Sequence, residues 1–179
     1  MEFKGFDKIG MDTSALIILS ICPSNLEDFK DRFCPVERVF YHAAKVHHEI
    51  IGVLINTFCF DKDEAKGWWD RLVKTLNLNI VYWHKNFKEE IENKVIEANK
   101  QVVLESGKSK FRIGLPDIKI ISCFLNEGVN KVYTLDKGFG NTCIKLGMGV
   151  LMLPPEYIRK SNEIRKLNKK FYRTQKKGD

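Results

Sequence analysis

Apolar positions along this chain fall into two rhythms. Short, nearly continuous apolar runs read as buried strands, and stripes spaced by three or four read as helices. Lys8–Met11 predicts a first strand, with a helix starting at Thr13 or Ser14. Ser24-x-x-Glu27 has the form of a capping box and predicts a helix toward Phe33, ended at Cys34–Pro35. Val39, Phe40 and Tyr41 predict a second strand. A helix over about Ala43 to Phe58 then carries Val46, Ile50, Val53 and Leu54 on one face. Asp61 and Asp63 start another helix, with Trp68, Leu72 and Leu76 four residues apart, and Asn79–Trp83 reads as a strand. Phe87, Ile91, Val95, Ala98 and Val102 form one stripe of a long helix. After the polar loop Ser106–Arg112, Ile118–Asn126 is helical and Glu127-Gly128 is a helix stop. Lys131–Leu135 and Val150–Leu153 predict strands around a short helical piece near Thr142–Leu146. Pro154-Pro155 opens a last helix with a narrow stripe of Ile164, Leu167 and Phe171.

Strands that alternate with helices imply a parallel sheet covered on both faces. The expected fold is α/β: a single three-layer α/β/α domain with a central, mostly parallel sheet, plus a basic C-terminal helix. The 179 residues suffice for one such core, and no repeat or flexible linker divides them. The expected division is a body over 1–158 and a basic helical extension over 159–179.

Charge distinguishes the two parts. The chain carries a net charge of +7, and the stretch from Arg159 to Asp179, with nine Lys/Arg and two acids, accounts for all of it. The body is formally neutral. Such a tail suits a polyanion, nucleic acid above all, or is a solvated helix that keeps the protein soluble. The 44% hydrophobic and 30% charged composition is that of a globular protein, and no apolar run approaches the roughly 20 residues of a membrane span. The N-terminus lacks a signal-peptide apolar stretch, and the five cysteines form no CxxC pair. Reduced thiols in a cytoplasmic protein, without a membrane partner, are the expectation.

Four acids fall where chemistry is concentrated in such folds. Asp12 and Asp136 follow predicted strands, Glu49 lies in an apolar helix and Asp117 opens another. In open α/β sheets, ligands bind beyond the carboxyl ends of the strands. Each acid also has an ordinary explanation: Asp12 as a cap of the helix from Thr13, Glu49 as a lysine partner, Asp117 as a cap, Asp136 as a turn residue. Their joint setting favours one pocket holding a hard divalent cation, because unpaired buried carboxylates are costly.

That setting resembles PIN-domain ribonucleases. Ile9-Gly10-Met11-Asp12-Thr13-Ser14-Ala15-Leu16 resembles their opening motif and Val46-His47-His48-Glu49-Ile50 their helical glutamate. Leu115-Pro116-Asp117-Ile118 and Tyr133-Thr134-Leu135-Asp136-Lys137-Gly138-Phe139 resemble their third and fourth acidic motifs, in the right order, over roughly Lys8 to Leu153. The resemblance implies a PIN-like fold and a Mg²⁺- or Mn²⁺-dependent endoribonuclease. Asp12, Glu49, Asp117 and Asp136 would bind metal and carry catalysis, with Thr134, Thr13 and Ser14 in support. It implies products with a 5′-phosphate and a 3′-hydroxyl, RNA as partner, pairing as a homodimer, and, for toxin members, an antitoxin protein. The longer N-terminal half and the basic extension depart from the short toxins, so toxin and RNA-processing roles both stand. Lys108, Lys110 and Arg112, just before Asp117, are either substrate contacts or solvated loop charges.

Three other readings are weaker. His47-His48-Glu49 lacks the second histidine of a zinc-protease helix, and Gly138-Phe139-Gly140 lacks the rest of a phosphate loop. Asp12-Thr13-Ser14 lacks the second aspartate of an aspartyl-phosphate enzyme. Trp68-Trp69 and Tyr82-Trp83 serve either packing or base stacking. A non-enzymatic alternative is a PIN-like RNA-binding module whose catalysis is dormant.

Overall fold

The structure, a computed structural model, describes residues 7–34, 38–83 and 89–175, with side chains of the last helix to residue 167. Five strands, β1 (Asp7–Met11), β2 (Arg38–Ala43), β3 (Asn79–Val81), β4 (Lys131–Tyr133) and β5 (Gly149–Leu151), form one sheet in the order β3-β2-β1-β4-β5. Every pairing is parallel; Ile9, for example, sits opposite Phe40 on one side and Lys131 on the other. The α/β architecture expected from the sequence is the observed one, with the sheet parallel throughout.

The helices are α1 (Thr13–Ser20), α2 (Pro23–Phe33), α3 (Ala44–Phe58), α4 (Lys62–Leu76), α5 (Glu89–Ser106), α6 (Leu115–Glu127), α7 (Lys137–Lys145) and α8 (Pro155–Gln175). α1 to α4 pack on one another and receive α8, whereas α5 packs on α6 and α7. Two helical layers therefore enclose the sheet, as parallel strands require. The central strand β1 is completely shielded at Ile9 and Met11, and Leu16, Leu19, Leu26, Phe29, Ile50 and Leu54 fill the space above it. On the other face Phe124 of α6 presses onto Gly10, where a Cβ would come within 2.7–3.0 Å of the ring. Only glycine permits that approach two residues before Asp12.

Several boundaries differ from the sequence reading. α2 starts at Pro23 with Cys22 as its cap, so the predicted Ser24–Glu27 capping box does not form. Proline's fixed φ preorganises the first helical position two residues earlier. β3 and β4 end at Val81 and Tyr133, shorter than predicted, and α7 begins at Lys137 rather than near Thr142 because Asp136 caps it through the Phe139 N–H. α6 begins at Leu115, placing Asp117 inside its first turn, with Gly128 at a φ of 75° closing it. The stripe predicted for α8 is also displaced. Tyr157 and Ser161 are buried and Ile164 packs on the core, but Leu167 is 66% exposed. The Phe87 position and the Phe171 side chain lie outside the described residues.

The docking of α8 is specific. Asn25 Nδ2 donates to the Tyr157 carbonyl at 3.1 Å, Ser161 Oγ donates to the Ile18 carbonyl at 3.3 Å, and the Tyr157 hydroxyl donates to Asp28. Beyond these anchors Arg159, Lys160, Arg165 and Lys166 face solvent. The division at 158/159 falls within this helix and is a division of charge. No helix among the described residues is long and apolar enough to cross a membrane. All five cysteines are free, and burial pushes the thiols of Cys34 and Cys123 up to about 11 and that of Cys143 higher still.

Candidate active site at the switch point of the sheet

The strand order reverses between β1 and β4: the chain leaves β1 toward β2, and leaves β4 toward β5 on the other side. At such a switch point the two connections diverge and leave a crevice beyond the strand ends. Asp12 directly follows β1, and Thr134 to Asp136 follow β4. The Asp12 N–H donates to the Tyr133 carbonyl at 3.0 Å, which locks the two exits together.

Asp12 is 4% exposed. By position it caps α1, its carbonyl accepting from the Ala15 and Leu16 N–H groups, but its carboxylate makes no capping bond. Oδ2 instead accepts the hydroxyls of Ser14 at 2.7 Å and Thr134 at 2.8 Å. Each hydroxyl has one proton, given to Asp12, and each oxygen takes a backbone N–H in return. Ser14 accepts from Leu135 at 2.9 Å and Thr134 from Asp136 at 3.1 Å. The loop after β4 is thus tied to the aspartate after β1. A neutral hydrogen bond contributes about 1 kcal/mol net, while withdrawing a carboxylate from water costs several. Burial prevails, and the Asp12 carboxyl is held above its ordinary range despite the two hydroxyls.

The other acids come from three separate elements. Glu49, on the margin of α3, accepts the Thr13 hydroxyl at 2.7 Å. Asp136 is the cap of α7 rather than a turn residue, Oδ1 accepting the Phe139 N–H at 2.8 Å, which occupies one oxygen. Asp117 Oδ2 accepts the Gly114 N–H at 3.2 Å, a partial cap within the first turn of α6. Burial raises the Asp117 carboxyl first, and the charges of Asp12, Asp136 and Glu49 raise it further. The charges of three acids far apart in sequence therefore reach Asp117. Among the described residues none of them forms an ion pair.

The donor set is oxygen only, which suits a hard divalent cation. Among the described residues, however, no three His, Cys, Asp or Glu side chains stand close enough to hold an ion together. The fit is to a cation held by one or two carboxylates, with water completing its shell, rather than to a closed protein cage.

Two supporting residues escaped the sequence reading. Asn99, 6% exposed, donates through Nδ2 to the Phe111 carbonyl and to Thr142 Oγ1, both at 2.9 Å, and Oδ1 accepts the Ile113 N–H at 3.2 Å. It fixes the loop leading to Asp117 against α7. Its signal was a polar residue on the buried side of the Val95–Val102 stripe. Gly138 is the second: a Cβ there would lie 2.8 Å from the Phe111 carbonyl and 3.2 Å from Asp136 Oδ1. In that same loop Lys108 and Lys110 lie 5.7 and 5.8 Å from the Phe111 ring centroid, and Arg112 is exposed. None of the three forms an ion pair among the described residues.

The histidines beside Glu49 pack elsewhere. His47 stacks on the buried Trp69 at 5.0 Å, and His42 meets the same indole edge-on at 5.0 Å. Trp69 is therefore a core residue. Trp83 carries Lys119 over its ring at 4.2 Å and donates to Glu92 at 2.7 Å.

No family model matches this sequence, and no curated protein does. The fold does have a counterpart: it is similar to a chain in the crystal structure of VapBC2 from Rickettsia felis bound to a DNA fragment from their promoter. The TM-score is 0.52 at 14% sequence identity, over 82% of this chain and 99% of that one. The likeness spans nearly the whole of that chain and establishes the shared α/β fold.

Proposed function

We propose that the protein is a Mg²⁺- or Mn²⁺-dependent endoribonuclease whose four carboxylates, Asp12, Glu49, Asp117 and Asp136, form its active site. The observation that carries this reading is the joining of Asp12 to the loop of Thr134 and Asp136 at the sheet's switch point, with Asp117 near enough that, after burial, the charges of Asp12, Asp136 and Glu49 raise its carboxyl further. Like charges without cations are expensive to hold together and need an external counter-charge. The sequence resemblance to PIN-domain ribonucleases supplies the reaction class, and the fold likeness is compatible with it.

In this reading the metal-holding groups are Asp12, Glu49, Asp117 and Asp136, which together form the negative rim. When bound, the cation would lower the pKa of an attacking water and offset charge on the scissile phosphate. The chain's own contribution is placement. Ser14 and Thr134 orient Asp12 Oδ2, Thr13 orients Glu49, and Asn99 and Gly138 set the loop before Asp117 against α7. Lys108, Lys110, Arg112 and the exposed cations of α8 would receive the phosphate backbone on either side of the negative rim. A homodimer and an antitoxin-type protein partner belong to the same proposal.

The test is cleavage of single-stranded RNA with Mn²⁺, alongside DNA of the same sequence and an Asp117→Asn variant. RNA should be cut by the wild type and not detectably by the variant; equal cutting by both would remove the site. A second reading, a dormant RNA-binding module, draws on the spacing of the acids, no three of which stand close enough among the described residues to share an ion. It prevails if neither protein cuts any of a broad RNA panel while both bind RNA.

A further inference from the structure

A cavity of about 560 Å³ opens between α3 and α4, apart from the acidic crevice. Its α3 wall is His47, His48 and Ile51; its α4 wall is Lys62, Asp63, Lys66 and Asp70, with the buried Trp69 behind. From the structure we infer that this cavity is a nucleotide subsite: it takes one base and its phosphate from a single-stranded RNA. The inference rests on the ribonuclease reading for the identity of the strand.

The walls offer what such a unit needs. The His47 ring lies nearly parallel to the Trp69 indole, 29° between planes, and His48 follows 5.1 Å away at 32°. Two aromatic rings and Ile51 form a wall for the face of a base, and bases stack on such walls without regard to sequence. Lys62 and Asp63 stand in the first turn of α4, a 15-residue helix capped by Asp61. The Asp61 cap already occupies the N-terminus of α4, so the phosphate would rest on the Lys62 and Lys66 ammonium groups. Asp63 and Asp70 can only accept hydrogen bonds when ionised, so they select a base edge rich in N–H donors. Among the described residues none of these four charged side chains forms an ion pair. A purely anionic ligand would gain nothing from the aspartates, and a cation nothing from the lysines. A nucleotide uses both.

Position relates the cavity to the acids. At 100° per residue, His47 and Ile51 lie on one flank of the Val46–Ile50–Leu54 core face of α3, and Glu49 on the other. The packing agrees: His47 reaches Trp69 of α4, and Glu49 reaches Thr13 of α1. The two sites are thus separated by about one helix thickness, roughly 10–12 Å with side chains. An extended strand a few nucleotides long crosses that distance over the start of α3.

Two sources could present this chemistry, a strand or a free nucleotide, and the experiment separates them. Full-length protein without added metal is titrated with a short single-stranded RNA and with each of the four 5′-mononucleotides, following tryptophan fluorescence and histidine NMR signals. A guanine nucleotide, whose base offers adjacent N–H donors, should bind best and shift the His47 and His48 resonances. Paired substitution K62E/K66E should weaken RNA binding at least tenfold, and Asp70→Asn should reduce the preference among bases, with unchanged melting temperatures. Tight mononucleotide binding that RNA does not displace would make the ligand a free nucleotide and overturn the subsite. Unchanged affinity in both variants would overturn it as well. Cleavage separates this inference from the one beneath it. If K62E/K66E cuts the same bonds at the wild-type rate while Asp117→Asn cuts none, the subsite fails and the nuclease reading stands. If RNA is bound through these residues but never cut, the reverse holds.

Discussion

β1 carries an aspartate at each end, and the two live in opposite surroundings. Asp7, at the start, pairs with Lys131 at 2.7 Å, and the next residue, Lys8, pairs with Glu127 at 3.1 Å. Asp12, just past the other end, has no ion-pair partner among the described residues and is held by two hydroxyls. The Lys131 hydrogen bond draws the Asp7 carboxyl below its ordinary range; burial pushes the Asp12 carboxyl above it. The same residue type on the same strand is compensated at one end of the sheet and left uncompensated at the other. Charges that serve folding are paired as they stand. In the proposed reading, the charges left unpaired are those that await a ligand, and the fold bears their cost.

The strongest way to break this contrast is to neutralise the uncompensated end. Asp12→Asn should lower Mn²⁺-dependent RNA cleavage by at least about 100-fold, beyond the 10–100-fold usual for residues that only support a metal ligand. Circular dichroism should show the fold intact. Full activity in this variant would reduce the switch-point acids to a packing accident.

The hydroxyls come next. Thr134→Val keeps the shape but removes the donor to Asp12, and it should cost about 10–100-fold in cleavage or in Mn²⁺ affinity. It should also cost about 1–3 kcal/mol in urea unfolding, since it leaves Asp12 and the Asp136 N–H each short of a partner.

pH separates the two ends by sign. For Asp117 the folded carboxyl is raised, by burial first and then by its three acidic neighbours. Below the ordinary aspartate range both folded and unfolded chains hold the proton, and there is no effect. As pH rises through that range the unfolded chain ionises more readily, so folding stability falls. In chelator, Asp117→Asn should therefore melt higher than wild type at neutral pH, with the gap closing in acid. Added Mn²⁺ should narrow it at neutral pH by stabilising the wild type alone. A variant that melts lower at every pH would show that the Gly114 cap matters more than the charge.

The smallest effect belongs to the compensated end. The lowered carboxyl of Asp7 contributes stability above the ordinary aspartate range, lost as pH falls through its depressed value. Asp7→Asn should thus be destabilising at neutral pH, by no more than about 1 kcal/mol for so exposed a pair, and neutral in acid. A gain in melting temperature from Asp7→Asn would erase the contrast of sign.

The basic helix adds a separate measurement. Arg165→Glu with Lys166→Glu should leave stability unchanged, since both side chains face solvent. It should flatten the salt dependence of RNA binding by about 0.7 log–log units for each phosphate that the helix no longer neutralises. Truncation is a poorer probe, because Tyr157 and Ser161 anchor the same helix to the body.

Much of the fold was legible because its signals are local. Continuous apolar runs marked the strands, the Val46–Leu54 stripe marked α3, and Gly128 marked the end of α6. The failures were local competitions that pattern alone does not rank: Pro23 over Ser24 for the start of α2, and the Asp136 cap over an apparently weak helix at α7. Asn99 and Gly138 went unread because their importance lies in a carbonyl of another element, that of Phe111.

The order of motifs along the chain determined which four acids to consider, and the two rhythms of apolar residues determined the class of fold. Neither determined how the acids are placed relative to one another. Intervals of 37, 68 and 19 residues carry no distance. Only the parallel order β3-β2-β1-β4-β5, by reversing between β1 and β4, set Asp12 beside the loop of Thr134 and Asp136 and brought Glu49 and Asp117 over the same end. Hydrophobic patterning acts between neighbours in sequence, whereas electrostatic repulsion acts between neighbours in space, and the second kind of neighbour exists only once the sheet has formed.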